Sequence, residues 1–167
     1  MKAITIQQPW ASLIVSGDKL YETRCWKTNY RGPIAIHAAK QVDDVGYLCS
    51  PLKTLEWLTA SGITPRILHE ELPRGAVIAT AELVRIWKIV FHPGTDVDKA
   101  KHIRIGAESL TLDVHAPDFN DYIVPTEKEI SFGMWTPGNY AWELQNIKIL
   151  PEPIPVKGRQ GLWNWEP

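Results

Sequence analysis

Three charged side chains in the segment GDKLYETR, residues 17–24, have types and spacing suited to holding a polar ligand. On an extended strand Glu22 and Arg24 share one face, because side chains alternate with a period of two. Lys19 follows a glycine turn, from which its long stem reaches towards Glu22. Carboxylates accept from N–H groups, whereas lysine and arginine donate to carbonyl or phosphate oxygens. These residues are predicted to bind a nucleobase edge; an exposed ion pair, typically worth under about 1 kcal/mol, is the alternative.

Lys19 and Glu22 are also the candidate catalytic residues if the chain is an enzyme, with Glu22 activating a water molecule and Lys19 as its acid–base partner. No metal is expected to take part in such chemistry, because the five histidines lack the spacing of metal ligands and no Cys-x-x-Cys motif is present. The loops typical of nucleotide hydrolases, dinucleotide-binding folds and serine hydrolases are absent too. We therefore expect neither a metal nor a cofactor.

Aromatic and basic residues near this motif complete the predicted binding set. The chain has eight tryptophans, and tryptophan offers a broad face for base stacking. Trp10, Trp87 and Trp142 lie in amphipathic stretches and are expected in the core. Trp26 and Trp135 either pack in the core or stack on the ligand, and His37 is a candidate for the pocket wall. The ligand-binding candidates are Lys19, Glu22, Arg24, Trp26, Arg31, His37 and Trp135.

The elements that must position these residues are short strands, with helices early in the chain. Alternation predicts strands over 3–7, 20–26, 32–38, 75–90 and 140–150, of which 75–90 is the longest and has a bend or bulge. The stretch 153–165 is predicted to contain a turn at Lys157 and Gly158 and one last short strand. Helical spacing predicts a helix over 9–16 and two short helices over 42–58, divided by Pro51. We expect a single mainly β (α+β) domain over residues 1–167, built as a curved sheet or barrel with short helices after the first strand and between strands.

The connection at 93–131 is predicted to be a loop insertion, because its periodicity is weak and it is rich in Pro, Asp and Gly. It carries eight acidic residues against four basic ones, whereas residues 19–31 carry four basic residues against one acidic. An acidic loop repels phosphates, so it is expected either to point away from the pocket or to cover it as a lid.

Composition limits the partners. Hydrophobic residues make up 44% of the chain and charged residues 22%, which is typical of a globular domain. The formal net charge of −1 argues against a protein that grips long duplexes through many phosphates. The longest apolar runs are too short to span a bilayer, so no membrane partner is expected. Two cysteines and the lack of a signal peptide favour a cytoplasmic location.

Several motifs in order resemble the activating signal cointegrator homology (ASCH) domain of the PUA-like superfamily. The hallmark Gly-x-Lys-x-x-Glu-x-Arg of that family is met by Gly17, Lys19, Glu22 and Arg24. The similarity extends to QPWA before the motif, to Arg31 with the next glycine, and to WELQNI, PIPVKG and QGLW near the end of the chain. The resemblance implies a PUA-like β-barrel fold with a cleft beside the Lys-Glu-Arg motif that binds RNA or modified nucleosides.

The resemblance leaves two enzymatic alternatives and one structural alternative. One branch of the family hydrolyses N4-acetylcytidine with a lysine and a threonine of the motif and a separate glutamate; here Lys19 matches the lysine, but Glu22 stands in the threonine position. Other members are ribonucleases. In the third alternative the domain is an interaction module whose motif only supports the fold. The main prediction is an RNA-binding or nucleoside-binding domain, and metal-free hydrolysis is its rival.

Overall fold

The chain folds mostly into β-strands with a few short helices. The computed structural model describes residues 1–43, 51–91, 103–107, 122–123 and 125–166. Within these ranges the strands are β1 (Lys2–Gln8), β2 (Tyr21–Arg24), β3 (Gly32–Val42), β4 (Ala76–Phe91), β5 (Ile103–Ala107), β6 (Tyr122–Ile123), β7 (Tyr140–Pro155) and β8 (Leu162–Asn164). This mainly β architecture confirms the predicted fold class.

Three short α-helices and one turn of π-helix join the strands. The helices are α1 (Trp10–Ser16), α2 (Pro51–Ala60) and α3 (Glu127–Ser131), and the π-helical turn is Ile67–Glu71. Helix α1 ends at Gly17, whose φ of 82° is left-handed and therefore favours glycine. At the start of α3 the Thr126 side chain accepts a hydrogen bond from the Glu129 N–H, so a side chain caps the helix.

Six strands form one mixed sheet in the order β2-β7-β4-β3-β1-β8, and β5 and β6 extend it beside β4. Strands β1 and β3 are parallel, whereas the other pairs are antiparallel. The register between β4 and β7 shifts at three places, and such bulges bend strands. The sheet is curved, but β2 and β8 at its two ends do not pair within the described residues. Of the two predicted forms, the curved sheet is therefore the one that is present.

The Arg24 side chain joins β2, at one end of this open sheet, to β1, which lies next to the other end. The Arg24 guanidinium of β2 donates to the Thr5 carbonyl of β1 at 2.6 Å, although three other strands separate β1 from β2 in the sheet order. Strand β8 pairs β1 only over Lys2–Ile4, which leaves the edge of β1 from Thr5 to Gln7 open. We call the gap between this edge and β2 the seam.

The core is divided between the two faces of the sheet. On one face Trp10, Leu13 and Ile14 of α1 pack with Ile4, Ile6, Ile34, Ile36 and Trp142. On the other face Ala3, Ala35 and Val77 pack with Trp163 and Trp165, because residues adjacent in a strand point to opposite faces. Trp10, Trp87 and Trp142 are all buried, as predicted.

The segment predicted to be a loop insertion, 93–131, contains two strands and a helix in its described parts. Strand β5 pairs with β4, β6 pairs with β5, and α3 follows. The expected lid conformation falls on residues outside the described ones.

The domain boundaries and the cytoplasmic location stay predictions. None of the helices in the described ranges is both long and apolar enough to cross a bilayer.

We expect Arg24→Ala to lower the free energy of unfolding by about 1–3 kcal/mol, because it leaves the Thr5 carbonyl and the Glu22 carboxylate without their donor. Urea denaturation measures the change. The matched control is Arg66→Ala, which removes an arginine whose side chain is 76% exposed and forms only surface ion pairs, and which should cost less than about 1 kcal/mol. Equal losses in the two variants would show that Arg24 does not hold the ends of the sheet together.

Candidate functional site

A groove of about 1410 Å³ opens along the seam. It lies between Thr5, Gln7 and His37 on one side, Arg24 and Trp26 on another, and the segments 39–41, 74–75 and 155–161. We call it the seam groove. Pockets for drug-sized molecules usually measure about 300–1,000 Å³. The seam groove therefore has room for a ligand larger than one nucleoside.

The charge of the groove is one-sided. Its described lining includes the basic residues Arg24, Lys40, Arg74, Lys157 and Arg159, and no Asp or Glu. Four of these are exposed, and Arg24 is partly buried. Lys40, Lys157 and Arg159 have no ion-pair partner among the described residues. A chain with 18 basic and 19 acidic residues thus concentrates positive charge at one place, and a cleft lined by one sign of charge attracts the opposite sign.

The wall that carries Lys157 and Arg159 is fixed from below by two side chains of the sheet. The Thr5 hydroxyl donates to the Arg159 carbonyl at 2.9 Å, and His37 Nε2 lies 3.0 Å from the Val156 carbonyl oxygen. Gly158 sits directly over these residues: a Cβ there would lie 2.7 Å from His37 Nδ1 and 2.9 Å from Thr5 Oγ1. Only a residue without a side chain permits so close an approach.

His37 is held as a neutral donor. A carbonyl oxygen only accepts, so the ring proton lies on Nε2 and Nδ1 is left as an acceptor. The ring is 2% exposed and packs edge-on against Trp163. Burial lowers the pKa of His37 below its usual value, although the hydrogen bond to Val156 opposes that shift. His37 therefore supports the groove wall without adding charge near neutral pH.

Two other predicted residues line the groove from β2 and the turn that follows it. Arg24 pairs with Glu22 at 3.0 Å, and this carboxylate orients the guanidinium that lies along the seam. Trp26 is partly exposed and packs edge-to-face on the buried Trp142, with the ring centroids 4.6 Å apart. The Trp142 indole N–H donates to the Trp26 carbonyl, so both side chain and backbone hold Trp26 in place.

Lys19 lies outside the lining of the seam groove and is buried beside Glu129. Its ammonium nitrogen is 3.7 Å from a Glu129 carboxylate oxygen, and the two side chains are only 1% and 6% exposed. Glu129 also accepts hydrogen bonds from the main-chain N–H groups of Leu20 and Tyr21, so this carboxylate secures the start of β2. Neither Lys19 nor Glu22 lines the seam groove. Of the three motif residues only Arg24 lines the groove, and the acid–base role of Lys19 and Glu22 stays a prediction.

Trp135 and Arg31 also lie outside the groove lining. Trp135 is 4% exposed, donates from its indole N–H to the Glu129 carbonyl, and meets Tyr21 edge-on. Arg31 is exposed and donates to the Thr28 and Tyr30 carbonyls. We therefore leave both residues out of the proposed site, and their ligand-binding role stays a prediction.

The sequence reasoning missed Lys40, Arg74, Lys157, Arg159 and Glu129. The four basic residues belong to three segments that are distant in the chain and meet only because the sheet curves. The one local signal was the pair Lys157 and Arg159 around a glycine, in a stretch that already resembled the closing part of a known family. No local pattern links Glu129 to Lys19.

A family-model match agrees with the resemblance. The family model described as ASCH domain matches residues 4–149, which is most of the chain. The search of curated proteins finds no match. Among the described residues no cluster of His, Cys, Asp or Glu is arranged to hold a metal ion.

We expect Gly158→Ala to destabilise the protein by about 1–3 kcal/mol, because its Cβ forces the 156–161 segment away from His37 and Thr5. In a double-mutant cycle with His37→Ala, the same substitution should cost less, since the crowding ring is gone. Thermal unfolding of the four proteins tests this. An unchanged cost in the His37→Ala background would mean that the ring does not constrain Gly158.

The stability of the protein should depend on pH through His37. Its folded-state pKa is lowered, so its contribution is fully present above the unfolded-state pKa of about 6.5 and is lost as pH falls through the folded-state pKa. We expect the wild type to lose more unfolding free energy than His37→Gln between pH 7.5 and 5, because glutamine keeps an N–H donor but does not titrate. Identical pH profiles for the two proteins would contradict this.

Proposed function

We propose, because the chain belongs to the ASCH domain family, that it binds single-stranded RNA in the seam groove. The family match suggests RNA binding in general. The observation that carries the specific proposal is the groove lining, in which five basic side chains occur without any described acidic one. Phosphate contacts by Lys and Arg supply most of the sequence-independent affinity for nucleic acids.

The size of the groove favours a short strand over a free base or nucleoside. At about 1410 Å³ it exceeds the volume that a single small ligand fills. Grooves that track single strands typically accommodate about 4–16 nucleotides per binding fold. The formal net charge of −1 also fits a short strand better than a long duplex, because the positive surface is local.

Trp26 and Arg24 are proposed to contact the bases. Trp26 is partly exposed beside the basic side chains and is braced from behind by Trp142, which is the arrangement that a stacking platform needs. Base–aromatic stacking contributes roughly 1–3 kcal/mol per base in proteins that bind single strands. Arg24 also lines the groove, and its guanidinium is held in place by Glu22 and by the Thr5 carbonyl.

No observation favours the amidohydrolase or ribonuclease alternatives. Lys19 and Glu22, their candidate acid–base pair, do not line the groove, and Lys19 is enclosed with Glu129. A general acid or base must reach the reacting atoms directly or through one water molecule. Both alternatives therefore stay predictions from the sequence.

We expect the affinity for a short single-stranded RNA to fall as the salt concentration rises. The slope of log affinity against log salt should be no steeper than about −3.5, since single strands give about −0.7 per phosphate contact and the groove offers five basic side chains. The double substitution Lys157→Ala with Arg159→Ala should make the slope shallower by about 1.4. Fluorescence anisotropy at several salt concentrations measures both slopes.

The matched control for this experiment is Lys88→Ala with Lys148→Ala, which removes the same charge from exposed positions outside the groove. The control variant should keep the wild-type slope. If both double variants change the slope equally, RNA responds to the overall charge of the protein and not to the seam groove.

A further inference from the structure

The open edge of β1 presents main-chain groups to the seam groove. In a strand, the N–H and C=O of one residue point to the same side, and those of its neighbour point to the other. The Met1 carbonyl accepts from Trp165, beside β8, and the Thr5 carbonyl accepts from Arg24 across the seam. The main-chain N–H and C=O groups of the odd-numbered residues of β1 therefore point towards β8 at the start of the strand and towards the seam from Thr5 onwards. Gln7 is the odd-numbered residue that follows Thr5.

The main chain of Gln7 has no partner on that side among the described residues. Pairing with β8 ends at Ile4, and the register with β3 passes from Ile6 to Gln8. No hydrogen bond from another described residue reaches the Gln7 main chain across the seam. Gln7 is exposed and lines the seam groove. Its N–H donor and C=O acceptor thus stand side by side in a groove that also contains Trp26.

An adjacent donor and acceptor match the Watson–Crick edge of an unpaired base. Each nucleobase carries a donor next to an acceptor on that edge, and proteins that recognise single-stranded RNA hydrogen-bond to it while the base stacks on an aromatic ring. We infer that the main chain of Gln7 binds the Watson–Crick edge of a base stacked near Trp26, so that the groove accepts unpaired nucleotides and rejects paired ones. This inference rests on the proposed RNA binding.

A peptide strand is the other occupant that a free sheet edge can take. Strand addition gains its affinity from a row of main-chain hydrogen bonds. Here the free edge covers only Thr5–Gln7, and the Thr5 carbonyl is already bound by Arg24. The basic lining complements phosphates, which every nucleotide carries. The short edge and the charge of the groove both favour RNA.

The test compares hexauridine with a hexamer of N3-methyluridine, which keeps the phosphates and the stacking faces but lacks the N3–H donor. The wild type should bind the methylated hexamer at least roughly tenfold more weakly, as expected for losing a bidentate base contact. Gln7→Pro removes the main-chain N–H at an unpaired edge, where proline is tolerated, and should bind hexauridine more weakly than the wild type does, because the uracil carbonyl loses its donor. The Gln7→Pro C=O still accepts from N3–H, so this variant should still prefer hexauridine to the methylated hexamer. Gln7→Ala keeps the main chain and should discriminate as the wild type does.

Equal binding of the two hexamers by the wild type would overturn the inference while leaving the proposed RNA binding intact. Binding of hexauridine by Gln7→Pro as tight as that by the wild type would overturn it too. Failure of the wild type to bind hexauridine at all would remove both proposals. A Glu-rich hexapeptide that binds as tightly as hexauridine, and that Gln7→Pro weakens, would assign the edge to a peptide strand. If melting curves show that Gln7→Pro is unfolded, the wild type and Gln7→Ala decide the question.

Discussion

The bridge from the Arg24 guanidinium to the Thr5 carbonyl holds together the two ends of a sheet that its strands leave open. Closing a barrel requires continuous backbone pairing between the first and last strands, and such pairing would fill the seam. Here one side chain, oriented by Glu22, spans the gap instead. The same contact therefore keeps the curved sheet together and leaves both a groove and a free strand edge beside it. The groove exists because the sheet is curved but not closed.

The groove also depends on how firmly its basic wall is held. Lys157 and Arg159 are exposed, but the backbone that carries them is bound to Thr5 and His37 and has a glycine where a side chain would clash. Positive groups on a supported backbone lose less entropy when they bind than groups on a mobile tail. The positive charges that gather here come from strand ends, which explains how a chain with a net charge of −1 presents a cationic surface.

Local signals predicted much of the fold, whereas tertiary contacts decided the site. Helix α1 and the bulged strand β4 follow from short-range patterns, namely apolar spacing with a final glycine and a long alternating run. Arg24, Trp26 and His37 were predicted as ligand-binding residues and do line the groove. Lys19 is not in the groove lining and instead pairs with Glu129, which comes from a helix distant in the chain. Strand spacing cannot show such a pairing, nor can it show which distant lysines and arginines a curved sheet brings together.

The most direct test of the central claim is to map where RNA touches the protein. A short oligonucleotide containing 4-thiouridine can be photo-crosslinked to the full chain and the attached residues identified by mass spectrometry. Our account predicts crosslinks at Trp26 and within residues 156–161, which both line the seam groove. Crosslinks confined to α2 and α3, with none in the groove, would contradict it.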